Sequence, residues 1–175
     1  MAALGNVGAM RVLIADDHTM VRESLVAVLQ AEADIEVVAQ AADGAEAVAL
    51  AERLRPDIVI TDLSMPRLGG LEVVRRLREL LPQTRVLVLT MHQEDEYVLQ
   101  AVRTGASGYL VKDSAAHELV EAVRRLHAGR AHFGPQAARA LAEQLQNPER
   151  DAADPYGTLT AREREVFHLI AEGQT

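Results

Sequence analysis

The sequence of 175 residues contains no cysteine, and this absence excludes disulfide bonds, cysteine-ligated zinc and cysteine nucleophiles. Apolar runs are also short: the run at residues 86–89 is far below the ~20 residues that cross a bilayer. Residues 1–10 carry no basic residue and no sustained apolar stretch, so they do not resemble a signal peptide. The expectation is a cytoplasmic protein without a membrane segment.

Positive charge is scarce and is carried almost wholly by arginine. The net charge is −8, and Lys112 is the one lysine among 18 basic residues. An acidic chain is a poor general binder of nucleic acid, because neutralising phosphates requires lysine and arginine. The solitary lysine is explained either by chance or by a site that needs an ammonium group at this position.

Short apolar runs alternate with amphipathic stretches from residue 10 onwards. Each apolar run is continuous, which is typical of parallel strands that helices cover on both faces. The pattern predicts an α/β fold with a doubly wound, five-stranded parallel sheet. The predicted strands are 11–15, 35–41, 58–60, 85–90 and 108–111, and the predicted helices are 19–31, 45–54, 71–81, 94–104 and 115–128, the last capped by Ser114.

The character of the sequence changes after residue 129. Pro135 opens a short predicted helix that ends at residue 146, and residues 147–157 are rich in proline, aspartate and alanine, as linkers are. The sequence TARE at 160–163 is a capping box and predicts another helix. Because a single helix of this length cannot bury a core alone, it is interpreted as the first element of a further domain.

Polar side chains follow four of the five predicted strands, at the point where each strand ends. Because the carboxyl ends of parallel strands share one edge of the sheet, these side chains should converge near the point where the strand order reverses. They are Asp16 and Asp17 after the first strand, Asp62 after the third, Thr90 at the end of the fourth and Lys112 after the fifth.

Three carboxylates in one place need a compensating charge, because two unit charges ~4 Å apart repel by about 4 kcal/mol at an effective dielectric of ~20. Oxygen ligands with room for water favour Mg²⁺, and Lys112 adds a second positive group. Such a site suits phosphoryl transfer, in which a carboxylate can be the nucleophile and become an aspartyl phosphate. Taken singly, each residue also fits an ordinary turn, cap or strand end, so the interpretation depends on their joint placement.

Five sequence motifs carry a resemblance to a known family. They are IADDH at 14–18, DIVITDLSMP at 57–66, GG at 69–70, VLT at 88–90 and GASGYLVKD at 105–113. In this order and spacing they closely resemble the receiver domain of bacterial response regulators of two-component systems, from residue 11 to about residue 128. The resemblance implies a flavodoxin-like fold, a sensor histidine kinase as partner and a homodimer on phosphorylation.

The resemblance also assigns roles to residues of the predicted site. The implied roles are phosphoacceptor for Asp62, Mg²⁺ ligands for Asp16, Asp17, Asp62 and the backbone carbonyl of Ser64, and phosphoryl contacts for Thr90 and Lys112. Enzymatic activity is expected to be limited to Mg²⁺-dependent self-phosphorylation from a donor and self-dephosphorylation.

An activation switch is implied for two of the residues. Thr90 would move toward the phosphoryl group, and its aromatic partner Tyr109 would turn inward. Two histidines lie close to the site in sequence, His18 beside the acidic pair and His92 two residues after Thr90. They are interpreted either as solvated loop residues or as groups that line the mouth of the site.

Residues 159–175 resemble the opening of a LuxR-type helix-turn-helix domain, which places the chain with the NarL/FixJ type of regulator. The expected organisation is a disordered tail (1–9), a receiver domain (10–129), a linker with a short helix (130–158) and an incomplete DNA-binding domain (159–175). DNA contact is expected only through the further helices of that domain, which this sequence does not contain. A fragment and a naturally shortened regulator that acts only through protein contacts both stay open.

The competing interpretation is a haloacid-dehalogenase-like phosphatase, which also uses an aspartate nucleophile and Mg²⁺ on a doubly wound sheet. That family needs a second aspartate two residues after the nucleophile. Ser64 holds this position here, which argues against the phosphatase.

Overall fold

The computed structural model describes residues 8–114, 116–146 and 161–171. Six parallel strands form one sheet in the order β2-β1-β3-β4-β5-β6, so the strand order reverses between β1 and β3. The strands are β1 (Met10–Ala15), β2 (Ile35–Ala41), β3 (Ile58–Thr61), β4 (Arg85–Thr90), β5 (Gly108–Val111) and β6 (His132–Phe133).

Helices cover both faces of the sheet. The helices are α1 (Thr19–Gln30), α2 (Gly44–Leu54), α3 (Gly70–Leu80), α4 (Asp95–Thr104), α5 (Ala116–His127), α6 (Pro135–Gln146) and α7 (Ala161–Ala171). One apolar core joins α1 and α5 to the face that carries Val12 and Ile14. The other core joins α2, α3, α4 and α6 to the face that carries Leu13 and Ala15. Because alternate residues of β1 are buried in different cores, the strand is apolar along its whole length.

The prediction of a doubly wound parallel α/β sheet is confirmed, but the predicted number of five strands is wrong. The sixth strand is β6, in which His132 pairs with Gly108 and Phe133 pairs with Tyr109. Two residues are too few to show a periodic pattern. The strand forms because the edge of β5 is available and because Phe133 is buried in the core beside Leu141 of α6.

The helix predicted from Pro135 is confirmed over the same residues, and the other helices begin or end within one or two residues of their predicted limits. The predictions for residues 1–7, for the linker at 147–157 and for the cap at Thr160 lie outside the described residues. Among the residues that the structure describes, no helix is both long and apolar enough to cross a membrane.

Helix α7 packs against α4 and α6. Val166 is fully buried there, and Leu169 and Ile170 pack against the same core. Glu163 is also 0% exposed, and its carboxylate accepts a hydrogen bond from Nε of Arg103 on α4. A buried charge is tolerated only with such a partner, so the ion pair and the apolar contacts together hold α7 on α4.

Replacing Glu163 with glutamine should loosen α7. The change removes the negative charge opposite Arg103 but keeps the shape of the side chain, and a hydrogen bond to a charged group contributes about 1.5–3 kcal/mol. We expect amide hydrogen exchange in α7 to become about 10- to 100-fold faster, while exchange in β1 and β3 is unchanged. Glu96→Gln, the same change at an exposed position of α4, is the control and should leave α7 unaffected.

Candidate functional site

The carboxyl ends of β1 and β3 lie side by side where the strand order reverses. The backbone N–H of Asp16 donates to the carbonyl of Ala41 (3.1 Å), and the N–H of Asp62 donates to the carbonyl of Ala15 (3.1 Å). These bonds continue the sheet by one residue and hold both aspartates at its edge. Three of the predicted site residues, Asp16, Asp62 and Lys112, are in contact at this edge of the sheet, where the sequence predicts that they converge; their roles stay a prediction.

The ammonium group of Lys112 bridges the two buried carboxylates. Its Nζ lies 2.6 Å from Oδ2 of Asp16 and 3.1 Å from Oδ2 of Asp62. The side chains of Lys112, Asp16 and Asp62 are 10%, 2% and 6% exposed. Burial alone would lower the pKa of Lys112, but the hydrogen bonds to Asp16 and Asp62 outweigh it, so the pKa is raised above its usual value. The lysine is therefore fully charged at neutral pH.

The two oxygens of Asp62 have different neighbours. Oδ1 accepts a hydrogen bond from the backbone N–H of Leu63 (2.8 Å), and Oδ2 faces Lys112. These contacts fix the carboxylate in one orientation. They leave lone pairs on both oxygens for a cation or for an incoming electrophile.

Four residues offer ligand atoms for a metal ion. One atom each from Asp16, Asp17, His18 and Asp62 lies within 4.8 Å of the others. We call this set the ligand cluster. Three of its donors are carboxylates, which Mg²⁺ prefers, so the residues present fit this cation. For Ser64 the structure shows the hydroxyl 3.1 Å from Nε2 of His92, and the role of its carbonyl stays a prediction.

Thr90 lies at the end of β4 and is fully buried. Its Oγ1 accepts a hydrogen bond from the backbone N–H of His92 (3.3 Å), and its carbonyl accepts one from the N–H of Lys112 (2.8 Å). The hydroxyl of Thr90 is thus joined to the β4–α4 loop, and its backbone carbonyl is joined to the strand end that carries the lysine.

Tyr109 points into the core on the side of α4. It is 5% exposed, and its hydroxyl donates to the carbonyl of His92 (2.7 Å). Burial, assisted by the negative charge of Glu94, raises the pKa of Tyr109 well above its usual value. This inward orientation is the one that the sequence hypothesis assigned to the activated state.

His92 has more contacts than the sequence indicates. Its ring lies 4.4 Å from the ring of Tyr97 and beside the hydroxyl of Ser64, while its backbone contacts both Thr90 and Tyr109. The β4–α4 loop is therefore tied at one residue to the two residues of the predicted switch. In the sequence, only the position of His92 two residues after Thr90 indicates that this histidine lies close to the site.

Replacing Tyr109 with phenylalanine should loosen this loop without unfolding the core. The ring still fills its buried position, but the bond to the carbonyl of His92 is lost, at a cost of about 1 kcal/mol. We expect about fivefold faster amide hydrogen exchange at residues 92–94. Tyr97→Phe removes a hydroxyl from the ring beside His92 and should have a smaller effect; equal effects would contradict the role of the Tyr109 hydroxyl.

The fold and the pocket together define a class of protein: a doubly wound α/β domain with buried carboxylates and one lysine at the point where the strand order reverses. The model of the response regulator receiver domain matches residues 12–124. The chain belongs to the response regulators of two-component systems. The resemblance drawn from the five motifs is confirmed, and nothing in the comparisons supports the phosphatase alternative.

The relatives include transcription regulators. The oxygen regulatory protein NreC of Staphylococcus epidermidis is 37% identical over 170 residues, covering 94% of this chain and 78% of the relative. The transcriptional regulatory protein LiaR of Bacillus subtilis is 39% identical over 165 residues, with the same coverage of 94% and 78%. A LuxR-family response regulator from Aurantimonas sp. has a solved structure that is 40% identical, with a TM-score of 0.73, covering 77% of this chain and 96% of that chain. Members of this family receive signals from sensor histidine kinases and are generally not enzymes.

Proposed function

We propose that Asp62 accepts a phosphoryl group and that the phosphorylated domain controls a DNA-binding output domain. The observation that carries the proposal is the position of Lys112, whose ammonium group lies between the nearly buried carboxylates of Asp16 and Asp62. Charge of both signs is thereby concentrated around one carboxylate. That is the environment in which a phosphoryl group can be transferred by positioning and charge neutralisation.

The proposed step is a direct displacement at phosphorus. The carboxylate of Asp62 forms a new O–P bond while the P–N bond of a phosphohistidine donor breaks, and the electron pair of that bond stays on the imidazole nitrogen. Lys112 stabilises the charge on the phosphoryl oxygens, and the hydroxyl of Thr90 donates to one of them. Mg²⁺, when bound by Asp16, Asp17, Asp62 and the carbonyl of Ser64, supplies further charge neutralisation.

Phosphorylation adds about −1.5 to −2 charges at pH 7, and the pocket binds this charge through the lysine and the threonine. A shift of an active state from 1:99 to 99:1 needs about 5.5 kcal/mol of differential stabilisation. One charge-assisted hydrogen bond contributes about 2 kcal/mol, so the switch at Thr90 and Tyr109 does not suffice alone. We propose that homodimerisation on phosphorylation supplies the remainder.

We further propose that residues 10–129 form the receiver and that residues 159–175 open a LuxR-type DNA-binding domain. Residues 130–158 would connect the two as a linker with a short helix, and the described part of this segment, β6 and α6, packs on the receiver. The packing of α7 on α4 supports a direct route from the receiver to the output domain. The DNA-reading helix of a LuxR-type domain is not among residues 159–175, so DNA binding is assigned to the complete domain.

The proposal is tested by intact mass after incubation with a small phosphodonor, with Mg²⁺ and with a chelator. The expected result is a gain of one phosphoryl mass that needs both Mg²⁺ and Asp62, and that is absent in Asp62→Asn. Asp113→Asn changes an exposed carboxylate next to Lys112 and is the matched control, which should still gain the mass. A gain that persists in Asp62→Asn would overturn the assignment.

A further inference from the structure

We propose that His18 is an additional protein ligand of the cation site, through Nδ1, beside Asp16, Asp17, Asp62 and the carbonyl of Ser64, and that the site therefore binds transition-metal cations such as Mn²⁺ more tightly than Mg²⁺. The inference rests on the proposed function only in that both use Asp16, Asp17 and Asp62 as cation ligands. It adds a residue for which the sequence analysis gave no metal role.

The two distances from Nδ1 of His18 to the neighbouring carboxylates fit one coordination sphere. Nδ1 of His18 lies 3.1 Å from Oδ1 of Asp17 and 3.3 Å from Oδ1 of Asp16. In an octahedron with metal–ligand distances of about 2.1 Å, neighbouring ligands are about 3 Å apart and opposite ligands about 4.2 Å apart. The two short distances therefore fit neighbouring positions of one octahedron. Asp62 completes the ligand cluster, whose atoms all lie within 4.8 Å of one another.

Asp16 can bind the cation and Lys112 at the same time, because its two oxygens face in different directions. Oδ2 contacts Nζ of Lys112, whereas Oδ1 accepts a hydrogen bond from the backbone N–H of His18 (2.8 Å) and lies beside its ring. A cation on the side of Oδ1 therefore leaves the ammonium in place. The backbone bond also holds His18 next to the carboxylate.

The imidazole can adjust to a cation without disturbing the core. The side chain of His18 is 66% exposed, while that of Asp16 is 2% exposed. The carboxylates of Asp16 and Asp62 are nearly buried, whereas the ring of His18 lies at the solvent-exposed mouth of the site. A ring rotation of this kind is a side-chain motion at the surface and requires no change in the backbone.

A nitrogen ligand changes which metal ion the site binds most tightly. Mg²⁺ takes oxygen ligands almost exclusively and keeps several waters, so an imidazole adds little to its binding. Imidazole is a good ligand for first-row transition metals, whose affinity rises from Mn²⁺ towards Cu²⁺. Removing His18 should therefore weaken Mn²⁺ binding about tenfold or more and leave Mg²⁺ binding unchanged within about twofold.

The test uses the full chain with Mn²⁺ as the probe. Electron paramagnetic resonance measures the fraction of Mn²⁺ bound, and its pulsed form detects a coordinated ¹⁴N nucleus directly. Wild type and His117→Ala, which removes an exposed histidine of α5, should show the nitrogen coupling. In His18→Ala the coupling should disappear, and the affinity for Mn²⁺ should fall about tenfold. Asp17→Asn should weaken Mn²⁺ binding as well. Competition with Mg²⁺ gives the Mg²⁺ affinity of each variant.

Three results would overturn the inference: no nitrogen coupling in wild type, coupling that persists in His18→Ala, or an equal loss of Mg²⁺ and Mn²⁺ affinity in that variant. Phosphoryl uptake with Mg²⁺ separates the two proposals. If wild type is phosphorylated but shows no nitrogen coupling, only the role of His18 is overturned. If neither cation binds to wild type, both the role of His18 and the Mg²⁺ site of the proposed function are overturned.

Discussion

Replacing Gly70 with alanine is expected to lower the free energy of unfolding by about 3 kcal/mol. A Cβ atom at Gly70 would lie 2.0 Å from the carbonyl oxygen of Asp62 and 2.9 Å from Cα of Leu63. Both neighbours are backbone atoms just after β3, so rotating a side chain cannot relieve the overlap. The backbone at Asp62 has to shift instead, which also displaces the carboxylate from Lys112.

Gly69→Ala is the matched control, one residue earlier in the same loop. A Cβ atom there has one neighbour, the carbonyl oxygen of Leu63 at 3.3 Å, which a small adjustment relieves. Gly69 is the N-cap of α3, and alanine at this position should lower the free energy of unfolding by less than about 1 kcal/mol. Chemical denaturation measures both variants. Equal stability of the two would contradict the close approach of α3 to the site.

Lys112→Met should also destabilise the fold by about 3 kcal/mol at neutral pH. The methionine keeps the apolar stem of the side chain but removes the positive charge between Asp16 and Asp62. Two nearly buried carboxylates are then left without their common partner, and removing one member of a buried ion pair costs far more than removing an exposed one. Lys112→Arg keeps the charge and should lose less stability.

The pH dependence gives an independent check on this ion pair. Because the pKa of Lys112 in the folded protein is raised above the unperturbed value of 10.5, its contribution to stability is fully present below pH 10.5. The contribution is lost as the pH rises through the folded pKa. The difference in unfolding free energy between wild type and Lys112→Met should therefore be constant from neutral pH to about 10 and shrink above 10.5. A difference that vanishes already near neutral pH would contradict the buried ion pair.

The meeting of Asp16, Asp62 and Lys112 could be predicted from the sequence because it depends only on topology. Parallel strands bring their carboxyl ends to one edge of the sheet. Residues that follow different strands therefore become neighbours, and this proximity does not depend on side-chain conformation. The pattern of apolar runs specifies those strand ends to within a residue or two. The core of the site can therefore be predicted from the sequence.

Other features depend on loop conformation or on edge pairing, which periodicity does not report. His18 and His92 contact the site through the paths of the β1–α1 and β4–α4 loops. β6 forms because the edge of β5 is available and because Phe133 is buried, and its two residues carry no pattern of their own. The pair of Arg103 and Glu163 joins residues 60 positions apart and arises from the packing of α7 on α4.

Asp62 is the residue proposed to carry the phosphoryl group. The most direct measurement is to phosphorylate the chain with a small phosphodonor and Mg²⁺, reduce the acyl phosphate with borohydride and sequence the peptides by mass spectrometry. We expect homoserine at position 62 and unmodified aspartate at Asp16 and Asp17. Homoserine at Asp16 or Asp17, with Asp62 intact, would contradict this assignment.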